Sequence, residues 1–323
     1  MMNNVMWTGA VAFAVCGALG PVVIPLLHKL RFGQSVRGCG PESHKQKSGT
    51  PTMGGVMILM GLMVAVAIFG KFTPALKAAL FLTLSHGVIG ALDDGIKIVK
   101  KRNLGLNVKQ KFALQILVAA GFIWYGVTTK FPTELWVPGF NIYFDLGWGY
   151  YLIVFALLLG TTNAVNFTDG LDGLVSLVSL PVFLTFGFFA YTLGKTDLMG
   201  FSAALFGSLL GFLIYNRHPA KVFMGDTGSL ALGGAVAALA LLLKCELLLI
   251  VLGGIYVAEA LSVILQVGSF KLRHGKRIFR MAPIHHHFEL GGWGEVLTVK
   301  VFSLVSCLLA AVSFGLWVLK FVI

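Results

Sequence analysis

The chain has 323 residues, of which 57% are hydrophobic and 12% are charged, and its formal net charge at pH 7 is +12. Soluble domains carry about 25% charged residues, so this composition excludes an ordinary soluble globular protein. The apolar runs are about 20 residues long and apolar on all sides, which excludes an outer-membrane barrel, whose strands alternate between polar and apolar residues.

Ten apolar runs follow one another along the chain, and each is predicted to be a membrane-spanning helix. An even number of spans places both termini on the same side. The segment 129–148 contains Pro, Gly and alternating aromatic residues and is predicted to form a short hairpin at the membrane interface. The chain is therefore predicted to be an all-α polytopic membrane protein, a single integral domain over residues 1–323. The predicted spans lie near 5–27, 53–70, 74–92, 110–128, 150–165, 174–192, 198–215, 228–243, 247–268 and 298–320.

Basic residues are concentrated on one side of this predicted bundle. With their flanking residues, the loops on that side hold 19 of the 25 Lys and Arg residues. By the positive-inside rule these loops are cytoplasmic, both termini face outward, and the hairpin at 129–148 is periplasmic. A positive cytoplasmic face would attract anionic lipid headgroups and anionic substrates. The cytoplasmic loops lie near 28–52, 93–109, 166–173, 216–227 and 269–297.

Acidic residues fall at the cytoplasmic ends of several spans. Asp93 and Asp94 follow span three, while Asp169 and Asp172 lie three residues apart before span six. Asp226 precedes span eight. A single Asp at a helix end commonly caps the helix, but paired carboxylates repel each other unless a cation lies between them. Carboxylates without nearby Cys suit a hard cation, so these acids predict one site for Mg²⁺, or Mn²⁺, built from several loops.

Two basic segments accompany the acids. The loop "GPESHKQKSGTPTMGG" carries Lys47 beside a turn rich in Gly, Pro and Thr, and Lys97 and Lys101 lie four residues apart in "KIVKKRNLGLNVKQK". A helical stretch would present Lys97 and Lys101 to one ligand, so both segments could bind phosphate groups. Both could equally serve only to set the orientation in the membrane.

The segment "MAPIHHHFELGGWGE" contains three consecutive histidines, His285, His286 and His287. A metal site, contacts with a substrate and a structural role all remain open. Metal ligands on one helix are usually three or four residues apart, so consecutive imidazoles favour hydrogen bonds with phosphate, or stacking on a base or sugar. Glu259 and Gln266, which are polar residues within span nine, are predicted to face the bundle interior.

Five segments, in this order, resemble the phospho-N-acetylmuramoyl-pentapeptide-transferase family: "GPESHKQKSGTPTMGG", "ALDDGIKIVKKRNLGL", "NAVNFTDGLDGL", "NRHPAKVFMGDTGSLALGG" and "MAPIHHHFELGGWGE". The resemblance runs from about Pro25 to Lys300. The acidic motifs are shared with the wider polyprenyl-phosphate N-acetylhexosamine-1-phosphate transferase superfamily, whereas "PIHHHFE" and "GTPTMGG" are typical of the muramoyl-pentapeptide branch. The resemblance implies ten spans, a cytoplasmic site, a requirement for Mg²⁺ and a homodimer in the bacterial cytoplasmic membrane.

The same resemblance implies a reaction and a set of residues. The family transfers phospho-N-acetylmuramoyl-pentapeptide from its UDP-activated form to undecaprenyl phosphate, which gives a diphosphate-linked lipid and UMP in peptidoglycan synthesis. Asp226, Asp169 and Asp94 are expected to bind the metal. Asp93 is expected to deprotonate or orient the lipid phosphate, and Asp172 completes the catalytic set. Direct attack and a phospho-enzyme on Asp226 both remain open. The expected substrate-binding residues are Lys47, Thr52, Lys97, Lys101, Lys109, Asn166, Asn216, Phe223, Gly225, Gln266, Ala282, His285, His286 and His287.

Two other functions share parts of this pattern. A transferase for UDP-N-acetylglucosamine or a related sugar would carry the acidic motifs, but it does not account for the His-rich loop. A transporter of ions or anions would place charges at bilayer depth and broken helices in related halves, whereas these charges collect at one face. The basic residues lie beside the membrane and give no indication of nucleic-acid binding.

Overall fold

The computed structural model describes residues 2–30, 49–100 and 104–322. Within these ranges the chain forms α-helices and one two-stranded sheet. The first helices are α1 (Met2–Lys29), α2 (Gly55–Phe69), α3 (Pro74–Val99) and α4 (Val108–Thr128). Strands β1 (Glu134–Val137) and β2 (Ile142–Asp145) and a short 3-10 helix (Gly147–Gly149) follow. The remaining helices are α5 (Tyr150–Thr168), α6 (Leu174–Thr192), α7 (Thr196–Asn216), α8 (Gly225–Leu242), α9 (Leu248–Leu252), α10 (Gly254–Leu272), α11 (Ile284–Glu289) and α12 (Glu295–Val322).

Nine of the described helices are long and apolar enough to cross a membrane. Each coincides with one predicted span, and the short helix α9 precedes α10 within predicted span nine. Predicted span two corresponds to α2, which is apolar but has only 15 residues. The prediction of an all-α polytopic membrane protein is confirmed.

The predicted hairpin between α4 and α5 is also confirmed. Strands β1 and β2 pair antiparallel, with Glu134 opposite Asp145. Trp136 of β1 is buried and packs edge-on against Trp317 of α12, with ring centroids 5.5 Å apart. Lys320 lies 4.4 Å from the centroid of the Trp136 ring. The aromatic residues of this segment therefore dock the hairpin onto the end of the helical bundle.

Helix α8 lies at the centre of the bundle, and nearly all of its residues are buried. It packs against α2, α3 and α5. Its many Gly and Ala residues let neighbouring backbones approach closely. A Cβ atom on Gly55 of α2 would lie only 2.2 Å from the Gly228 nitrogen. Because Asp226 lies in the first turn of α8, this packing also fixes the position of its carboxylate.

Candidate active site

The carboxylates of Asp93, Asp94 and Asp226 meet where the C-terminal end of α3 packs against the N-terminal end of α8. Helix α3 continues to Val99, past the predicted end of span three near residue 92, so both of its acids lie on regular helix. The two helices approach closely at Gly90, where a Cβ atom would lie 2.0 Å from the Asp226 carbonyl oxygen. One oxygen from each of the three carboxylates lies within 4.8 Å of the others. We call these three acids the acidic cluster.

Lys97 lies between the members of the acidic cluster. Its Nζ atom is 2.6 Å from Asp93 Oδ2, 3.1 Å from Asp226 Oδ2 and 3.4 Å from Asp94 Oδ1. Residues 93 and 97 are one helical turn apart, so the continuous helix brings the ammonium to the carboxylates. Lys111 of α4 adds a second ammonium, 2.9 Å from Asp226 Oδ2. Two ammonium groups therefore face three carboxyl groups.

The three carboxylates are held in different ways. Asp94 accepts hydrogen bonds from the Thr227 amide at 2.9 Å, from the Thr227 hydroxyl at 2.8 Å and from the Asp226 amide at 3.2 Å. These amides belong to the first turn of α8, whose free N–H groups favour a negative charge. Asp93 accepts a hydrogen bond from the Leu106 amide at 2.9 Å. The side chain of Asp226 is 18% exposed, against 4% for Asp93 and 2% for Asp94, so Asp226 is the most open to a ligand.

Asn166 of α5 holds Asp226 from the opposite side, since its Nδ2 atom donates to Asp226 Oδ1 at 2.9 Å. A buried polar layer supports this contact. Gln115 of α4 accepts a hydrogen bond from Asn163 Nδ2 of α5 at 3.0 Å. Gln115 is one helical turn from Lys111, and Asn163 is about one turn from Asn166. The layer therefore joins the two helices that supply Lys111 and Asn166 to Asp226.

Asp169 directly follows the last residue of α5. Burial, followed by the negative charges of Asp226 and Asp94, raises the pKa of Asp169 well above its usual range. Asp169 is therefore close enough to the acidic cluster to feel its charge. The acidic cluster, whose spacing suits a metal ion, contains Asp93, however, whereas the predicted set of metal ligands contained Asp169 in its place.

Asp172 lies in a second group, with His218 from the loop after α7 and Glu295 at the start of α12. His218 Nδ1 is 3.2 Å from Asp172 Oδ2 and 3.5 Å from Glu295 Oε2. Glu295 also accepts a hydrogen bond from the Asp172 amide at 2.8 Å. Within the described ranges, this trio is a further group with metal-ligand spacing. The structure thus places three of the five predicted acids in the acidic cluster and Asp172 in a second group, while Asp169 belongs to neither.

Thr52 and Gly225 lie beside Asp94. A Cβ atom on Gly225 would be 2.6 Å from both Asp94 Oδ2 and Thr52 Oγ1, and the φ angle of Gly225 is +72°. Both facts favour glycine at this position. Thr52 is buried, and its hydroxyl has no hydrogen-bond partner among the described residues. An unsatisfied hydroxyl therefore lies next to the acidic cluster.

Asn216 and Phe223 shape the loop that leads into α8. The buried Asn216 donates from Nδ2 to the Val222 carbonyl at 3.0 Å. Phe223 is partly exposed, and its amide donates to the Pro51 carbonyl at 2.8 Å. The Phe223 carbonyl in turn accepts from the Gly54 amide at 2.9 Å. These bonds tie the loop before α8 to the segment that carries Thr52.

The predicted residues of the last loop lie around α11. Gln266 accepts from the Ile278 and Phe279 amides, each at 2.9 Å, so it fixes the loop that follows α10. His287 Nδ1 accepts from the Arg280 amide at 3.1 Å. Ala282 is partly buried and lies shortly before α11.

The other two histidines have different hydrogen-bond partners. His285 is fully buried and bonds to Glu259, with 3.0 Å between His285 Nδ1 and Glu259 Oε1. His286 Nδ1 is 2.8 Å from Glu289 Oε2. The His285 and His286 rings nevertheless pack together, with ring centroids 4.1 Å apart.

The sequence prediction emphasised Lys109, which is exposed, whereas Lys111 contacts the acidic cluster. Lys47 and Lys101 lie outside the described residues. The prediction also missed His218 and Glu295, for which the sequence offers no spacing signal. The sequence also did not predict the contact of the Thr227 hydroxyl with Asp94 or that of Glu259 with His285.

Known proteins resemble this chain over nearly its whole length. The family model for glycosyl transferase family 4 matches residues 76–244, and a phospho-N-acetylmuramoyl-pentapeptide-transferase signature matches residues 47–59. The phospho-N-acetylmuramoyl-pentapeptide-transferase of Bacillus subtilis (strain 168) is 49% identical over 313 residues, which cover 96% of each chain. The proteins of the same name from Shouchella clausii (strain KSM-K16) and Bacillus mycoides (strain KBAB4) are each 50% identical. Their matches cover 95% and 98% of this chain, and 96% and 99% of the relatives.

Proposed function

This chain belongs to the phospho-N-acetylmuramoyl-pentapeptide-transferase family, and we propose that the acidic cluster is where it performs that transfer. The enzyme transfers phospho-N-acetylmuramoyl-pentapeptide from its UDP-activated form to undecaprenyl phosphate in peptidoglycan synthesis, with release of UMP. The observation that carries the assignment of the site is the convergence of Asp93, Asp94 and Asp226 around Lys97. Phosphoryl transfer between two anions requires this combination of cation-binding and phosphate-binding groups.

The acidic cluster fits Mg²⁺, because its donors are all oxygen atoms. The unpartnered hydroxyl of Thr52 beside Asp94 adds a neutral oxygen to the same place. We infer that Asp226 and Asp94 hold the metal and that Asp93 or Asp169 completes the set. Bound Mg²⁺ would supply the positive charge that screens the repulsion between the two substrates. Mn²⁺ has the same ligand preference and could replace it.

In this proposal the protein groups bind and orient the two phosphates. Lys97 and Lys111 would hold phosphate oxygens, and Asp93 would orient or deprotonate the lipid phosphate. An oxygen of that phosphate then attacks the phosphorus nearer the sugar, and UMP leaves with the electrons of the broken phosphorus–oxygen bond. Direct attack is favoured over a phospho-enzyme because Lys97, Lys111 and Asn166 already engage both oxygens of Asp226. Those contacts would have to break before Asp226 could act as a nucleophile.

The remaining predicted contacts are part of the same proposal. Asp172 completes the catalytic set from the neighbouring group that contains His218. The other residues are proposed to bind the UDP-linked substrate or the lipid phosphate from the loops that surround the cluster. They are Lys47, Thr52, Lys101, Lys109, Asn166, Asn216, Phe223, Gly225, Gln266, Ala282, His285, His286 and His287.

We further propose that the protein has ten spans, with α2 as the tenth, in the bacterial cytoplasmic membrane. The bias of Lys and Arg supports a cytoplasmic acidic cluster, a periplasmic hairpin and periplasmic termini. A lipid phosphate whose tail stays in the bilayer would meet the UDP-linked substrate at that cytoplasmic end. The family resemblance adds a homodimer and contacts with membrane lipids.

The test is a substrate comparison with the full chain purified in detergent. UMP release is measured with undecaprenyl phosphate and Mg²⁺, from UDP-N-acetylmuramoyl-pentapeptide and in parallel from UDP-N-acetylglucosamine. The proposal predicts release from the first substrate alone and loss of release when a chelator is added. Release from the second substrate alone would move the protein to another branch of the superfamily.

A further inference from the structure

Glu259 is a fully buried carboxylate within α10, a helix long and apolar enough to span a membrane. An acidic side chain within a spanning helix is costly to bury, and such groups are usually paired and functional. The reaction proposed above gives Glu259 no role. Its surroundings therefore need a separate explanation.

Both carboxylate oxygens of Glu259 face a single residue. Oε1 is 3.0 Å from His285 Nδ1, and Oε2 accepts from the His285 backbone amide at 3.5 Å. An ionised carboxylate can only accept a hydrogen bond, so this contact directs the proton of a neutral imidazole to Nδ1. Glu259 thus fixes both the tautomer and the direction of the His285 ring.

The opposite edge of that ring faces the loop that carries two of the predicted catalytic acids. His285 Nε2 is buried and has no hydrogen-bond partner within the described part of the chain. A Cβ atom on Gly170 would lie 2.2 Å from His285 Nε2. Gly170 directly follows Asp169 and lies two residues before Asp172. The unsatisfied Nε2 atom of His285 is therefore aimed at the backbone between Asp169 and Asp172.

We propose that Glu259 is a positioning residue, which holds the buried His285 ring against Gly170 and so fixes the backbone between Asp169 and Asp172 for binding of the UDP-linked substrate. The inference rests on the proposed function, because the substrate is the one assigned there. His286 and His287 contact Glu289 and the Arg280 amide, within their own segment. Consequently, His285 is the member of the triplet that Glu259 directs toward the acidic loops.

The test is a double-mutant cycle in the full-length enzyme. Kinetics of UMP release are compared for Glu259→Gln, His285→Ala and the double variant. Glutamine has nearly the same shape but replaces one acceptor oxygen by a donor, which faces a donor of His285. Glu259→Gln is expected to lower kcat/KM for the UDP-linked substrate at least tenfold. In the His285→Ala background the same substitution is expected to change it less than twofold.

Tyr256→Phe is the matched control, because it removes a different buried hydrogen bond from the same helix. The Tyr256 hydroxyl is 2.7 Å from the Ser179 hydroxyl. This variant is expected to keep kcat/KM within twofold of the unmodified enzyme. Should Glu259→Gln fail to fold, Glu259→Asp replaces it in the cycle, since it keeps the charge but withdraws the oxygens by one methylene.

Equal effects of the Glu259 substitution with and without His285 would overturn the inference, because the carboxylate would then act independently of the imidazole. The proposed function itself would be contradicted if the unmodified enzyme released no UMP from UDP-N-acetylmuramoyl-pentapeptide. The two failures are distinguishable in one experiment.

Discussion

Replacing Lys97 by Met removes the cation that joins the acidic cluster. The Lys97 ammonium lies 2.6–3.4 Å from three carboxylates. At an effective dielectric constant of about 20, each such pair attracts by about 5 kcal/mol before the cost of desolvation. Removal of one partner of a buried ion pair usually destabilises a protein by about 3–5 kcal/mol. The Lys97→Met variant should therefore be clearly less stable than the unmodified enzyme in metal-free buffer.

A divalent cation should reverse much of that loss, because the three carboxylates then lack their competing ammonium. Mg²⁺ is expected to raise the thermal unfolding midpoint of Lys97→Met more than that of the unmodified enzyme. Turnover should nevertheless fall by about 10²–10³-fold, the usual effect of removing one group that stabilises a developing charge. Unfolding is followed in detergent with and without Mg²⁺, and turnover is followed by UMP release.

Lys100→Met is the control, since Lys100 is an exposed lysine immediately after the same helix. Its stability, Mg²⁺ response and turnover should stay close to those of the unmodified enzyme. Lys97→Met with near-normal turnover and an unchanged Mg²⁺ response would refute the role assigned to Lys97.

Three further substitutions test the surroundings of the acidic cluster. Gly225→Ala should lower UMP release at least tenfold while the fold is kept, because its Cβ would lie 2.6 Å from Asp94 Oδ2. Gln115→Leu should remove the hydrogen bonds of Gln115 with Thr162 and Asn163 of α5, and the resulting loss of about 1 kcal/mol is measured by thermal unfolding. Gly55→Ala should lower the unfolding midpoint through overpacking against Gly228, with a cost of about 1–3 kcal/mol. An unfolding midpoint for either of the last two variants that equals that of the unmodified enzyme would contradict the packing described here.

The spans and the acids of the site were predictable because each leaves a local signal. The long apolar runs have no stable alternative to helix in lipid, so their positions agree with the observed helices. The end of α3 was placed too early, near residue 92, because Asp93, Asp94 and Lys97 end the apolar run. The helix nevertheless continues to Val99. Charged residues end a hydrophobic segment without ending the helix that contains it.

Which of Lys109 and Lys111 faces Asp226 depends on the rotation of α4 about its own axis. The positions of the basic residues in the sequence do not determine that rotation. A capping box between Asn107 and Gln110 fixes the start of this helix. Two residues correspond to about 200° of rotation, so only one of the two lysines faces Asp226. A usable signal was Gln115, a polar residue one turn after Lys111 that interrupts an apolar run.

The separation of Asp172 from the acidic cluster could not be predicted from its spacing to Asp169. The i, i+3 rule assumes a helix, but residues 170–173 lie between α5 and α6, and Gly173 has a φ angle of +76°. His218 and Glu295 are 46 and 123 residues away in sequence, so only the tertiary fold brings them to Asp172.

The central claim, that transfer takes place at the acidic cluster, is tested most directly by UMP release from single Asp→Asn variants. The measurement compares Asp93→Asn, Asp94→Asn and Asp226→Asn with Asp145→Asn, which replaces an exposed acid of the hairpin. The account predicts that the first three lose at least 10²-fold in turnover while they remain folded, and that the fourth keeps full activity. Normal turnover in all three cluster variants would contradict the account and place the reaction elsewhere in the bundle.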